Sequence, residues 1–147
     1  MLALGVKSDE TYVCAPAPFQ HAVATGLQLG DSFFHNIKAP FHRKKITLAA
    51  ALEAAAFCPQ LPEGAYYLLV TYPDHCFQHD VQAAEALVRE VGVGSVPGSA
   101  FFPAEQPSGL PRFCFGVTDE TLREACERLA GVRITAGEIR STVVADR

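Results

Sequence analysis

Pro62-Glu-Gly-Ala-Tyr-Tyr-Leu-Leu-Val-Thr-Tyr72 is the stretch that decides how this chain folds. Glu63-Gly64 reads as a turn, and Ala65 to Tyr72, rich in Tyr, Leu and Val, reads as a strand. Its apolar residues fall on both faces, which predicts cover on both sides. Upstream, Pro59 and Pro62 close a long Ala-rich helix expected from about Pro40 to Phe57. Pro40 is expected to end or kink the preceding segment, which Asp31 or Ser32 can cap, because proline donates no backbone bond and restricts Ala39. Before that, Pro18 suits the first position of a helix in which Phe19, Ala22, Val23 and Leu27 keep helical spacing and Gly30 is a stop.

Working downstream, Asp80 is expected to cap a helix with Val81, Ala84, Leu87, Val88 and Val91 in one stripe. Gly92 and Gly94 flank a short strand through Val96, and Pro97-Gly98 is a turn dipeptide. Residues 103–111 carry three prolines and one glycine and form a loop. Arg112 to Val117 alternates into a strand. Thr118 caps a helix with Asp119 and Glu120 in its first turn, where negative charge suits the helix dipole. Leu122, Ala125, Cys126 and Leu129 form its apolar side and Gly131 stops it. This order of elements predicts an α+β fold of helices layered on a small sheet. Three parts are expected: an irregular segment 1–15, a domain 16–131, and a tail 132–147 open to either a strand or a loose end.

With 147 residues, 49% of them hydrophobic and 19% charged, the chain has the material for one core and is not disordered over most of its length. The net charge is −4 and the basic residues form no stripe, so nucleic acid is not an expected partner. The longest nearly apolar run, Leu48 to Cys58, is broken by Glu53 and too short to span a bilayer, and no secretory signal follows Met1. Cys14, Cys58, Cys76, Cys114 and Cys126 are odd in number and contain no CxxC pair, so they read as reduced thiols of a cytoplasmic protein.

The chemistry-bearing residues are few. His75, Cys76 and His79 have ligand-like spacing, but Pro73-Asp74 argues for a loop and no distant Cys/His pair completes a tetrahedral set, so no metal site is expected. Cys114, between two phenylalanines, and Cys126, on a helix's apolar side, are expected to be buried and inert. GxSxG, P-loop and GxGxxG patterns are absent. Arg112 opens an otherwise apolar strand after a proline-rich loop. Its guanidinium can project from a sheet edge and hold a carboxylate through two parallel hydrogen bonds, or simply reach outward to water.

Tyr12-Val-Cys-Ala-Pro-Ala-Pro-Phe-Gln20, with the helix that follows, resembles a segment of the class I/II aminotransferases, pyridoxal-phosphate (PLP) enzymes of fold type I. The kynurenine and methionine aminotransferase-like branch is nearest. Phe41-His-Arg-Lys44, Pro62-Glu-Gly-Ala-Tyr-Tyr-Leu68, Val96-Pro-Gly-Ser-Ala-Phe-Phe102 and Arg112-Phe-Cys-Phe115 are similar to further motifs of that family, in the family's order. The helix from Asp119 to Leu129 resembles its final helix, so the likeness covers residues 11–130.

The resemblance implies the C-terminal small domain of such an enzyme, a small mixed or antiparallel sheet with helices packed on it. It implies amino-group transfer between an amino acid and a 2-oxo acid, with Arg112 binding the substrate carboxylate. It also implies that Ser99, Phe101 and Phe102 line the substrate cleft, and that Tyr12 can reach a neighbouring subunit's site in a dimer. The lysine that forms the family's Schiff base with PLP has no counterpart here. Lys7 precedes Tyr12 by five residues without the surrounding family pattern. The resemblance therefore leads us to expect PLP in an intact enzyme, none bound by this chain alone, and no transaminase activity from it. A homo-oligomer or a separate large-domain partner is the expected assembly. The alternative is a non-catalytic α+β module for binding or dimerisation.

Overall fold

The computed structural model describes residues 15–72, 77, 79–101, 110–135 and 138–141. The chain divides into two compact units, Met1–Ile37 and Lys38–Arg147.

In the first unit, helix α1 spans Ala17–Leu27, with Pro16 at its cap and Pro18 in the first turn, where a missing N–H is harmless. The spacing of Phe19, Val23 and Leu27 does place them on a helix, yet no residue of α1 is buried. Helix α2 begins at Asp31 and runs to Ala54, and Pro40 lies inside it rather than ending it. The residues before Pro40 are exposed. A carbonyl that loses its helical donor there can turn to water, so the proline is tolerated.

The end of α2 also differs from expectation. It stops at Ala54, not near Phe57, in a left-handed turn at Ala56 (φ 65°). The Ala56 and Phe57 amides donate to the Glu53 and Leu52 carbonyls at 3.0 and 2.9 Å, which closes the last turn and aims Phe57 inward. Cys58–Gln60 then forms β1, an edge strand that two prolines hid from sequence reading. Pro59 pairs with Val70, which spends its own amide on the Pro111 carbonyl on the other side. The missing N–H of Pro59 therefore costs the ladder nothing.

Strand β2 spans Tyr67–Thr71 and lies between β1 and β3, Arg112–Cys114, in an antiparallel sheet of order β1-β2-β3. Leu68 and Val70 are fully buried while Tyr67, Leu69 and Thr71 remain half-buried, so one face of β2 is covered and not both. On the covered face Phe113 meets Phe57 edge-on, ring centres 6.0 Å apart. Leu48 and Leu52 of α2, with Leu87, Leu122 and Leu129 from the later helices, complete this core.

Helix α3, Asp80–Ala86, continues into a wider π turn at Leu87–Val91. Gly92, at φ 71°, ends it in the left-handed region that a side chain would strain. The short strand expected around Val96 reduces to one bridge between Val96 and Arg112. Helix α4, Asp119–Ala130, matches its sequence signals: the Thr118 hydroxyl accepts from the Thr121 amide at 3.2 Å, and Leu122 and Leu129 are buried. The tail forms a hairpin of β4, Val132–Thr135, with β5, Glu138–Ser141, and buries Val132 and Ile139 in the common core. Lys44 and Lys45 of α2 pin neighbouring loops, donating to the Val117 carbonyl at 2.5 Å and the Pro62 carbonyl at 2.9 Å.

Candidate functional site

Alternation along β2 and β3 builds the site. Residues directly opposite in a ladder point to the same face. Leu69 pairs with Arg112 and Tyr67 with Cys114, so these four share the face turned away from the core, while Leu68 pairs with Phe113 on the buried one. Arg112 therefore cannot turn into the hydrophobic interior. Its guanidinium carbon lies 4.8 Å from the centre of the Tyr67 ring and 4.6 Å from the centre of the Phe101 ring. Both rings present π density to the cation, and a planar guanidinium stacks on them with its edge N–H groups left over. Among the described residues Arg112 has no ion-pair partner.

Phe101 reaches this position on a tight 3₁₀ turn, Gly98–Phe101. The turn is anchored at three places. Val96 and Arg112 exchange two backbone hydrogen bonds of 2.9 and 2.8 Å. Gly98 sits against the Leu110 carbonyl with no room for a Cβ. Ser99 donates its amide to Asp80 Oδ2 at 2.7 Å and its hydroxyl to Oδ1 at 2.9 Å. The geometry brings Arg112, Phe101 and Ser99 into one neighbourhood. Tyr12, Phe102 and Lys7 lie outside the described residues, as do His75 and Cys76.

Three expectations need correction. Asp80 is the first residue of α3 rather than its cap; His79 holds the cap position, and the Asp80 carboxylate serves Ser99 instead. Cys114 is exposed, because Phe113 and Phe115 take the inward positions on either side of it. Cys126 is only half-buried, although burial, reinforced by the adjacent Glu127 charge, raises its thiol pKa as expected of an inert thiol. Sequence reading also missed Tyr67. Aligning the two alternating strands would have placed it on the arginine's face, but strand register is not written in either strand alone.

The fit of a PLP-type cofactor turns on a free amine. Lys44 is committed to the Val117 carbonyl and to Asp119 at 3.0 Å, and Lys45 to the Pro62 carbonyl. Lys38 stands exposed on α2. Lys44 and Lys45 thus spend their amines away from the Arg112 face, and no described lysine is paired with a group on that face. Among the described residues no helix is long and apolar enough to cross a membrane.

Comparison with known proteins agrees with this architecture. The model of the family "Aminotransferase class I and II" matches residues 2–129. The probable N-succinyldiaminopimelate aminotransferase DapC of Mycobacterium tuberculosis is 30% identical over 140 residues, covering 88% of this chain and 35% of that protein. The methionine aminotransferase of Escherichia coli is 32% identical over 112 residues, covering 76% and 29%. The solved structure of the Mycobacterium tuberculosis N-succinyldiaminopimelate aminotransferase superposes with a TM-score of 0.69 at 32% identity, covering 88% of this chain and 34% of that one. The chain thus spans about a third of the length of the curated relatives it matches.

Proposed function

We propose that this chain, which belongs to the class I and II aminotransferase family, supplies the carboxylate-binding C-terminal part of an enzyme that moves an amino group from an amino acid to a 2-oxo acid. The observation that carries the reading is the Arg112 guanidinium, held between Tyr67 and Phe101 on the open face of the sheet. Its edge offers two parallel N–H donors, the arrangement that matches the two oxygens of a carboxylate. The flanking rings restrict its swing and exclude water from its faces, which strengthens each charge-assisted bond. In this reading Ser99, Phe101 and Phe102 would line the substrate side, and Tyr12 would reach a neighbouring subunit's site.

Enzymes of this family work with PLP, which supplies the electron sink for the transfer. The residues of this chain contribute binding and orientation, not that chemistry. A large-domain partner would bring the Schiff-base amine, and a homo-oligomer is the other assembly in this reading. The apolar residues that α1 leaves exposed, Phe19, Val23 and Leu27, support such a partner. The three free cysteines among the described residues suit a reducing cytoplasm.

Calorimetric titration of the full chain with a 2-oxo acid tests the binding role. Arg112→Lys keeps the charge and loses the fork, so it should weaken binding by about tenfold or more, the worth of a charge-assisted hydrogen bond. Equal heats from both proteins would remove Arg112 from the reading. Mixing the chain with PLP, an amino acid and a 2-oxo acid should give no amino transfer. Measurable turnover, with a borohydride-trapped adduct on Lys7, would show that this chain carries its own amine.

A further inference from the structure

We infer that Asp80 is a positioning residue for Arg112, acting through Ser99 and Phe101. The inference deepens the carboxylate reading of Arg112 and rests on it for its functional meaning. Asp80 is the only charged residue buried among the described residues, at 2% exposure. A buried carboxylate is costly unless its oxygens are bonded, so a chain that keeps one there binds it firmly to something. Each Asp80 oxygen accepts a bond from Ser99, one from the amide and one from the hydroxyl, and two bonds to one residue fix orientation as well as distance. Capping does not account for the arrangement, since the cap position of α3 belongs to His79 and carries no side-chain cap bond.

What the carboxylate holds is the middle of the Gly98–Phe101 turn. On one side of Ser99 the chain is already fixed, by the Val96–Arg112 bridge and by Gly98 lodged against Leu110. Phe101 lies on the other side, two residues along and 56% exposed, with no burial of its own to keep it over the guanidinium. The Asp80–Ser99 pair supplies that restraint. Without it, one ring of the Tyr67–Arg112–Phe101 stack is free to swing away, and the arginine gains freedom it must lose again on binding.

The experiment reads the Arg112 Nε–H resonance in the full chain, assigned by its disappearance in Arg112→Lys. Stacking between two ring faces moves that resonance upfield, and Phe101→Leu marks its position with one ring lost. Ser99→Ala and Asp80→Asn should both shift it toward the Phe101→Leu position. Ser99→Thr, which restores a hydroxyl, should hold the wild-type position. Affinity for a 2-oxo acid should fall about two- to fivefold in Ser99→Ala and Asp80→Asn, the loss expected for one half-exposed cation–π contact.

A resonance unmoved in Ser99→Ala and Asp80→Asn, or unmoved in Phe101→Leu, would overturn the inference. Should Asp80→Asn fail to fold, as its β2 and β3 amide signals would reveal, Ser99→Ala and Ser99→Thr decide the matter between them. If 2-oxo acid leaves the wild-type Arg112 signal unchanged, the carboxylate reading fails, while the ring-shift comparison still tests the tie from Asp80 to the stack.

Discussion

Leu69 stands directly opposite Arg112 in the β2–β3 ladder. That pairing alone turns the guanidinium to the open face of the sheet. A slip of one residue in register would send Arg112 into the core and Phe113 out to solvent. Because Phe113 is 2% exposed and packs on Phe57, the hydrophobic core sets the register, and the register aims the arginine. Binding geometry here is a consequence of packing.

Truncating the residue that locks this register should therefore be severe. Phe113→Ala removes a buried ring beside Phe57 and leaves a cavity between sheet and helices. The expected loss is about 3–5 kcal/mol of folding stability, read as a shift in the denaturant midpoint by far-UV circular dichroism. An unchanged midpoint would mean that the β2–β3 register is held by something other than this core contact.

Gly98→Ala tests the turn that carries Phe101. The added Cβ would collide with the Leu110 carbonyl, a backbone atom that cannot rotate aside. The turn or the segment at Leu110 must move, at a cost of about 1–3 kcal/mol. The same variant should weaken 2-oxo acid binding, because Phe101 shifts with the turn. Full stability together with full binding would show that the close approach at Gly98 constrains neither.

Thiol chemistry gives an independent check on the faces of the sheet and helix. Cys58 and Cys114 are exposed, whereas Cys126 is half-buried with its pKa raised by burial and by Glu127. Iodoacetamide at neutral pH, read by peptide mass mapping, should modify Cys58 and Cys114 well before Cys126. The sign of the pH effect follows from the same shift. The unfolded chain ionises Cys126 at its ordinary pKa and the folded chain only above it, so its contribution is full below the ordinary thiol range and lost as pH rises through the raised value. Replacing Cys126 with Ala should flatten that alkaline loss; an identical alkaline profile would place its cause elsewhere.

Much of this was legible from residues alone. Thr118 with Asp119 and Glu120 announced α4, and Pro18 marked the first turn of α1, because caps and first turns are decided within a few residues of chain. The strand at Tyr67–Thr71, the helix from Asp80, and the family motifs around Arg112 were equally local, whereas β1 and the β4–β5 hairpin were not. Tertiary structure decided the rest. Pro40 sits inside α2 on an exposed stretch, Cys114 is turned outward by its two phenylalanine neighbours, and Asp80 finds Ser99 nineteen residues away. Each outcome depends on which groups meet across the fold, and hydrogen bonds and burial are satisfied between partners that spacing along one chain cannot name.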